Sequence, residues 1–89
     1  MSLNYTIQAL ADPTRRRILE LLKKEDLSAG QIGSHFDITA PSLSHHLNIL
    51  KKADLVIDER RGQEKIYSLN VSIFEETASL LINFFKKNK

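Results

Sequence analysis

Two helix starts follow one another closely between residues 28 and 53. Ser28 and Gln31 form a Ser-x-x-Gln capping box, which predicts a short helix over 29–36. Thr39 offers a second N-cap, and leucines then repeat at helical spacing, which predicts a helix over 40–53. Because residues 37–39 alone separate the two predicted helices, the pattern is that of a helix-turn-helix.

The flanking segments extend this pattern. Upstream, an apolar stripe over 3–11 predicts a helix of about two turns, and Asp12 with Pro13 opens a second helix that ends near residue 24. Downstream, strand-like runs at 55–60 and 64–69 flank a glycine turn, and Ser72 caps a last helix. The predicted order is α-α-α-α-β-β-α, a mainly α fold with a small β-hairpin: a winged helix-turn-helix in a single domain, residues 1–89.

Length and composition limit how such a chain can be stabilised. A domain of 89 residues buries only about 60–65% of the surface that its unfolded chain exposes. Because the sequence has no cysteine, disulfides and thiolate metal sites cannot add stability, and oligomerisation is the remaining route. No apolar run approaches the length of about 18–20 residues that crosses a bilayer. With no secretion signal either, we expect a cytoplasmic protein that does not insert into membranes.

The outward face of the predicted fourth helix holds the candidate DNA contacts. The net charge of +2 favours anionic partners only slightly, so the placement of polar groups matters more. The leucines form the inner stripe, and Ser42, Ser44 and His45 lie outward in the N-terminal half of the helix. Hydroxyls and an imidazole can approach base edges in a major groove, so we expect base contacts from these three residues. The alternative is that this face is merely solvated.

A basic cluster at the tip of the predicted hairpin follows this helix. We expect the recognition helix, about 40–53, to lie in the major groove and the wing, about 56–69, to lie on the backbone or in the minor groove. The expected backbone contacts are Thr39, Asn48, Lys51, Lys52, Arg60, Arg61, Gln63 and Lys65. Acidic residues between these cations leave open that the tip only aids solubility. We also expect one of the three consecutive arginines, Arg15, Arg16 and Arg17, to contact phosphate.

The histidines and serines predict neither a metal site nor an active site. His45 and His46 are adjacent on a helix and therefore diverge, and His35 lies on another helix without a partner at i+4. Ser44 and His45 diverge for the same reason, and the sequence has no Gly-rich phosphate loop. We expect no catalytic residues, no metal and no cofactor. His46 is interpreted as a hydrogen-bonded residue at the edge of the core.

Three segments, taken in order, are similar to the ArsR-type winged-helix repressors of bacteria. The first resembles the second helix of the family, the next its recognition helix and the last its wing; they read DPTRRRIL at 12–19, PSLSHHLNIL at 41–50, and RGQ with IYSLN at 61–63 and 66–70. The resemblance runs from about Leu3 to Phe85. It is greatest to the SdpR-type branch, whose members are short and carry the same Ser-His-His-Leu run.

This resemblance implies a homodimer that assembles through the first and last helices, binds an imperfect palindrome in a promoter and blocks transcription. The last helix is more apolar than one small core requires, which agrees with this assembly. The alternative is that these side chains complete the core of the monomer. The expected interface residues are Leu3, Ile7, Leu10, Phe74, Leu81, Phe84 and Phe85.

The sequence departs from the metal-sensing members of that family. No thiol occurs at 27–31, where their cysteine motif lies, and no histidine occurs between residues 72 and 89. Release from DNA by arsenite, zinc or cadmium through those sites is therefore not expected, and the SdpR-type branch suggests an inducer protein at the membrane instead. Two alternatives stay open: a metal- or ligand-responsive sensor with an unrecognised site, and a winged-helix protein-interaction module.

Overall fold

A computed structural model of the chain describes residues 3–86. Within that range five helices and three strands follow one another, and the mainly helical winged helix-turn-helix predicted from the sequence is confirmed. Their bounds are α1 Leu3–Leu10, α2 Pro13–Lys24, β1 Leu27–Ser28, α3 Ala29–Gly33, α4 Ala40–Lys52, β2 Val56–Arg61, β3 Glu64–Leu69 and α5 Val71–Phe85.

Three predicted helix starts are present with their capping side chains. The carboxylate of Asp12 accepts a hydrogen bond from the Arg15 amide at 3.1 Å, with Pro13 in the first turn of α2. Ser28 and Gln31 form the reciprocal capping box of α3. Thr39 Oγ1 accepts from the Ser42 amide at 3.2 Å and so begins α4. Local side-chain chemistry therefore fixes where these helices begin.

The prediction for α3 was wrong at its C-terminal end. The helix stops at Gly33 rather than at Phe36, so residues 34–39 connect it to α4. The amides of His35 and Phe36 bond to carbonyls three residues back, and this tighter turn does not continue an α-helix. A side chain at Gly33 would approach Leu43 at 3.1 Å, so the glycine lets α3 pack closely on α4.

The sheet contains a strand that the sequence did not predict. Leu27–Ser28 forms β1, which pairs antiparallel with β3 so that Leu27 lies opposite Tyr67. The sheet order is β1-β3-β2, and the hairpin of β2 and β3 is the predicted wing. Since β1 runs directly into α3, it joins the helix-turn-helix to the wing.

The last helix begins two residues earlier than predicted. Its N-cap is Asn70, whose side chain accepts from the Ile73 amide at 3.4 Å, and Ser72 lies inside the first turn. Only Thr77 of α5 is buried, while Ile73 and Phe74 pack partly against the core. From residue 78 to residue 86 every side chain is exposed. The C-terminal half of α5 therefore projects from the body of the chain.

The core lies between α2, α4 and the base of the hairpin. Its centre is made of aliphatic side chains that are almost fully buried, among them Ile18, Ile32, Leu50, Leu55 and Val56. α4 ends in a turn in which Asp54 has a φ of 59°, its amide bonds to Lys51 O, and the Leu55 amide bonds to Leu50 O. This Schellman arrangement turns the chain directly into β2 and so places the wing beside α4.

Candidate nucleic-acid interface

The inner and outer faces of α4 divide as the sequence predicted. Leu43, Leu47 and Leu50 are buried. The side chains of Ser44, His45 and Asn48 are exposed, and Ser42 is half-buried at the flank of the same face. Thr39 is also exposed, and its hydroxyl is held by the helix cap. Three leucines thus anchor the helix, and its N-terminal half presents small hydrogen-bonding groups to solvent.

The charge along α4 is graded toward its C-terminal end. The helix has no acidic residue in its first turn and carries Lys51 and Lys52 in its last turn. Lys52 lies with Nζ 6.0 Å from the centre of the Tyr5 ring, which brings this cation toward α1. No carboxylate on α4 itself opposes an anionic partner.

Arg15, the first of the three consecutive arginines, is an internal residue. It is 8% exposed, and its guanidinium donates to the carbonyls of Ala9 and Gln8, each at 2.9 Å. Its Nη1 lies 3.1 Å from His46 Nδ1, so it joins the end of α1 to α4. The interpretation of His46 as a hydrogen-bonded residue at the core edge is confirmed. Arg15 serves the fold in this arrangement, and sequence reasoning did not identify its role.

Asp12 completes the cluster around Arg15. Burial alone would raise the pKa of the Asp12 carboxyl, but the hydrogen bond from the Arg15 amide and the charges of Arg15 and His46 lower that pKa overall. The carboxylate lies 3.8 Å from His46 Nδ1. Asp12 therefore stays ionised beside a buried cation.

The other two arginines differ from Arg15. Arg16 is exposed, and its Nη1 donates to Leu10 O at 2.7 Å, at the C-terminal end of α1. Arg17 is exposed, and among residues 3–86 its side chain has no hydrogen-bond or ion-pair partner. Of the three, Arg17 is the one whose charge is not already engaged within the described part of the chain.

The wing brings several of the predicted backbone contacts together around one carboxylate. Asp58 accepts from Lys51 at 3.0 Å and faces Lys65 at 3.6 Å, so it links the end of α4 to the hairpin. The hydrogen bond from Lys51 is the main cause that holds the pKa of Asp58 below its ordinary value. This ion-pair cluster joins residues of α4, β2 and β3, and no local signal predicted it.

The tip of the wing is more exposed. Gly62 has a φ of 64° at the turn, a conformation that glycine adopts without strain. Arg61 is paired with Glu59 at 3.1 Å on the exposed surface. Arg60 lies directly opposite Lys65 across the hairpin, which concentrates positive charge on one face. Arg60 and Gln63 are exposed and have no side-chain partner among the described residues.

The residues expected at a dimer interface fall into two groups. Five of them line an apolar groove of about 620 Å³ between α1 and the end of α5, together with Leu80 and Asn83; they are Leu3, Ile7, Leu81, Phe84 and Phe85. Phe84 and Phe85 are 76% and 78% exposed, so the alternative that they complete the monomer core is wrong. Leu10 and Phe74 do not reach this groove. They pack partly against the core and line a separate cleft beside Leu19.

No group of three or more His, Cys, Asp or Glu side chains within residues 3–86 is placed to hold a metal ion. None of the helices found there combines the length and the apolar character of a membrane-spanning segment.

Known proteins are similar to this chain in both sequence and fold. Residues 12–58 match the family described as "Bacterial regulatory protein, arsR family". The transcriptional repressor SdpR of Bacillus subtilis (strain 168) is 48% identical over 85 residues, which cover 96% of this chain and 94% of that protein. An arsenical resistance operon repressor of Staphylococcus xylosus is 37% identical over 76% of this chain and 65% of its own length. A crystal structure of an ArsR family transcriptional regulator superposes with a TM-score of 0.85 at 27% identity, over 91% of this chain and 89% of the other.

Proposed function

The chain belongs to the ArsR family of bacterial transcriptional regulators, and from this premise we propose that it represses transcription as a homodimer bound to a palindromic promoter operator. Its relatives include transcriptional repressors, and the chain is a DNA-binding regulator and not an enzyme. The operator, the dimer and the contacts in each groove are the parts of the proposal that go beyond the family.

One observation carries the proposal: α4 exposes a polar N-terminal face beside a basic wing whose Arg60 has no side-chain partner among the described residues. The buried leucines on the opposite face pack α4 against the core, so the position of its backbone is fixed. We assign base contacts in the major groove to Ser42, Ser44 and His45, since hydroxyl and imidazole groups can donate to or accept from base edges. A helix anchored in this way can present the same three groups at every half-site.

The backbone contacts are proposed on both sides of that face. Lys52, Arg60 and Gln63 can reach phosphates without losing an ion pair, whereas Lys51, Arg61 and Lys65 must exchange a carboxylate for a phosphate. Thr39 and Asn48 are exposed beside the reading face and complete the proposed set. Phosphate contacts determine affinity and the position of the protein on the duplex, whereas base contacts determine which DNA sequence is preferred.

Dimerisation is proposed through the apolar groove of α1 and α5. Leu3, Ile7, Leu81, Phe84 and Phe85 form a continuous apolar surface that one chain leaves exposed. Leu10 and Phe74, which pack on the core, are proposed to support this surface rather than to form it. A two-fold axis through the groove would relate two α4 helices, as a palindrome requires.

A repressor of promoter DNA acts in the cytoplasm of a bacterium, and we propose that location. The resemblance to the SdpR-type branch supports an inducer protein at the membrane, which stays a prediction because no described residue bears on it. A zinc titration of operator binding tests the metal-sensor alternative. Unchanged affinity would remove that alternative, and a zinc-dependent loss would favour it over a protein inducer.

Operator selection from random double-stranded DNA with the purified chain tests the proposal. We expect an enriched inverted repeat whose half-sites lie about one helical turn apart. We also expect the affinity for that repeat to fall steeply as salt is raised, since phosphate contacts release counterions. Enrichment of no sequence, together with no salt-dependent binding to any DNA, would favour a protein-interaction module instead.

A further inference from the structure

Arg15 occupies a junction between three elements. Its Nε and Nη2 donate to Ala9 O and Gln8 O, which lie in the last turn of α1. The last carbonyls of a helix have no partner within the helix, so the guanidinium satisfies groups that burial would otherwise penalise. The same guanidinium contacts His46 in the middle of α4 at 3.1 Å. One buried side chain of α2 thus holds the helix that lines the proposed dimer groove and the helix proposed to read DNA.

The chemistry of this contact fixes the tautomer of His46. A guanidinium has donors only, so the Nδ1 atom that faces it must offer a lone pair. The proton of the neutral ring then lies on Nε2. A ring protonated on both nitrogens cannot accept from Arg15, and the contact exists only with the neutral imidazole.

We propose that Arg15 and His46 are positioning residues for DNA reading, which couple α4 to α1 through a hydrogen bond that a second proton on His46 breaks. This inference rests on the proposed function, since it assumes that α4 reads DNA. Neither side chain needs to touch a base. His46 is 14% exposed at its side chain, and its neighbour His45 presents the outward imidazole.

The groups around His46 determine what protonation does. From the start of α2 it faces the Arg15 guanidinium and the Asp12 carboxylate, the latter at 3.8 Å. On α4 itself the His45 ring lies 5.9 Å away, centre to centre. α1 carries no charged side chain, and its one titratable residue, Tyr5, lies near Lys52. An imidazolium would therefore be repelled by Arg15 and attracted by Asp12, so that the ring exchanges one partner for the other.

The direction of the effect separates this inference from simple electrostatics. Added positive charge strengthens binding to a polyanion, so protonation of a histidine near DNA would by itself raise affinity at low pH. Loss of the Arg15 contact acts in the opposite sense, because it releases α4 from the helix that sets the spacing of the two half-sites. We therefore expect the preference for the operator over random DNA to fall when the pH is lowered far enough to protonate His46.

The decisive comparison is between the wild-type chain and His46→Asn. An asparagine places its carbonyl oxygen near the position of Nδ1, keeps an acceptor for Arg15 and cannot gain a proton. Between pH 8 and pH 5.5 we expect the ratio of operator to random-DNA affinity to drop about tenfold more for the wild type than for His46→Asn. His45 is present in both proteins, so the comparison isolates the contribution of His46. His35→Asn, which removes an exposed histidine of the α3–α4 connection, should keep the wild-type pH dependence.

Two further measurements keep the test independent of folding. Thermal unfolding and sedimentation of each variant show whether it is folded and in which oligomeric state. Nitrogen-15 NMR of the wild-type imidazoles should show His46 with its proton on Nε2 at neutral pH. A proton on Nδ1 at neutral pH, or equal pH dependence in the wild type and in His46→Asn, would overturn the inference while leaving DNA binding intact. Absence of wild-type binding to any DNA at both pH values would instead defeat the proposed function, and the inference with it.

Discussion

The helices α4 and α5 differ in which of their side chains they bury and which they expose. α4 buries three leucines along one face and exposes hydroxyl, imidazole and amide groups on the other. α5 buries only Thr77 and exposes its large apolar side chains from Leu80 onward. The apolar face of α4 is buried within one chain, whereas the apolar side chains at the end of α5 are exposed.

This difference supports the partner proposed for each helix. A buried apolar face with an exposed polar face needs no protein partner, so the exposed groups of α4 are available for a polar ligand such as DNA. An exposed apolar groove is costly in water and is best covered by another apolar surface. Since α1 contributes to the same groove, a second copy of the chain offers a matching surface by symmetry.

The largest predicted effect comes from placing a charge in the apolar groove. Leu81→Glu should give a folded monomer, because a carboxylate in the buried interface would be desolvated without a partner. Operator affinity should fall by about 10²–10⁴-fold, since the second half-site is no longer held by the first. Sedimentation and fluorescence anisotropy on the selected operator measure both changes.

Val71→Glu serves as the matched control for this variant. Val71 is 61% exposed at the start of α5 and does not line the groove. It should sediment as the wild type does. If Leu81→Glu were also dimeric, the apolar half of α5 would have another purpose and the contrast with α4 would fail.

The next effect concerns what each helix contributes to the stability of one chain. In the monomeric Leu81→Glu background, Leu50→Ala should lower the free energy of unfolding by about 2–5 kcal/mol, because it leaves a cavity in the core. Phe84→Ala in the same background should change that free energy by no more than about 0.5 kcal/mol, because the side chain is already in solvent. Urea unfolding measures both. Comparable losses would show that the end of α5 packs on its own chain.

A smaller effect distinguishes base reading from general attraction. His45→Ala should weaken operator binding by about 1–3 kcal/mol and random-DNA binding far less, if the imidazole contacts a base edge. Anisotropy titrations on both DNAs at one salt concentration give the two values. His35→Ala, which truncates another exposed histidine, should leave both unchanged. An equal loss on all sequences for His45→Ala would remove its role in sequence reading.

The smallest predicted effect tests the link between α4 and the wing. The pKa of Asp58 lies below its ordinary value of 3.8, so the ionised carboxylate stabilises the fold above that pH and loses its contribution as the pH falls through the lowered value. Asp58→Asn should therefore be less stable than the wild type at pH 7, and the difference should vanish in strong acid. Glu59→Gln, which removes only the exposed pair with Arg61, should have almost no effect at any pH. A difference that persists at the lowest pH would mean that the carboxylate acts by shape rather than by charge.

The parts of the fold that were predicted from sequence are marked by a hydrophobic repeat, by a helix-capping residue or by a glycine turn. The leucine repeat of α4, the caps at Asp12, Ser28 and Thr39, and the glycine turn of the wing all follow from residues within a few positions of one another. The strand β1 was missed because two residues show no alternation. Asp54 was missed because it ends α4 in a conformation usually marked by glycine.

The candidate site was predictable in its outline but not in its internal contacts. Periodicity placed Ser44 and His45 outward, because the leucines fix the opposite face. The engagement of Arg15 with His46, and of Lys51 with Asp58, depends on elements that meet only in the folded chain. A run of three arginines in a sequence suggests a basic surface patch, yet the first of them, Arg15, is buried and bonds to α1 and to His46.

The central claim is that dimerisation through α5 places two α4 helices on one operator. Changing the spacing of the half-sites tests this claim most directly, because it needs no substitution in the protein. Operator affinity should be compared with that for DNAs whose half-sites are moved apart by five and by ten base pairs. If a rigid dimer presents two α4 helices on one face of the duplex, the five-base-pair insertion should reduce affinity by about 10²–10⁴-fold, because it turns one half-site to the opposite side. Equal affinity at every spacing would contradict the account, since it would mean that each chain reads DNA alone.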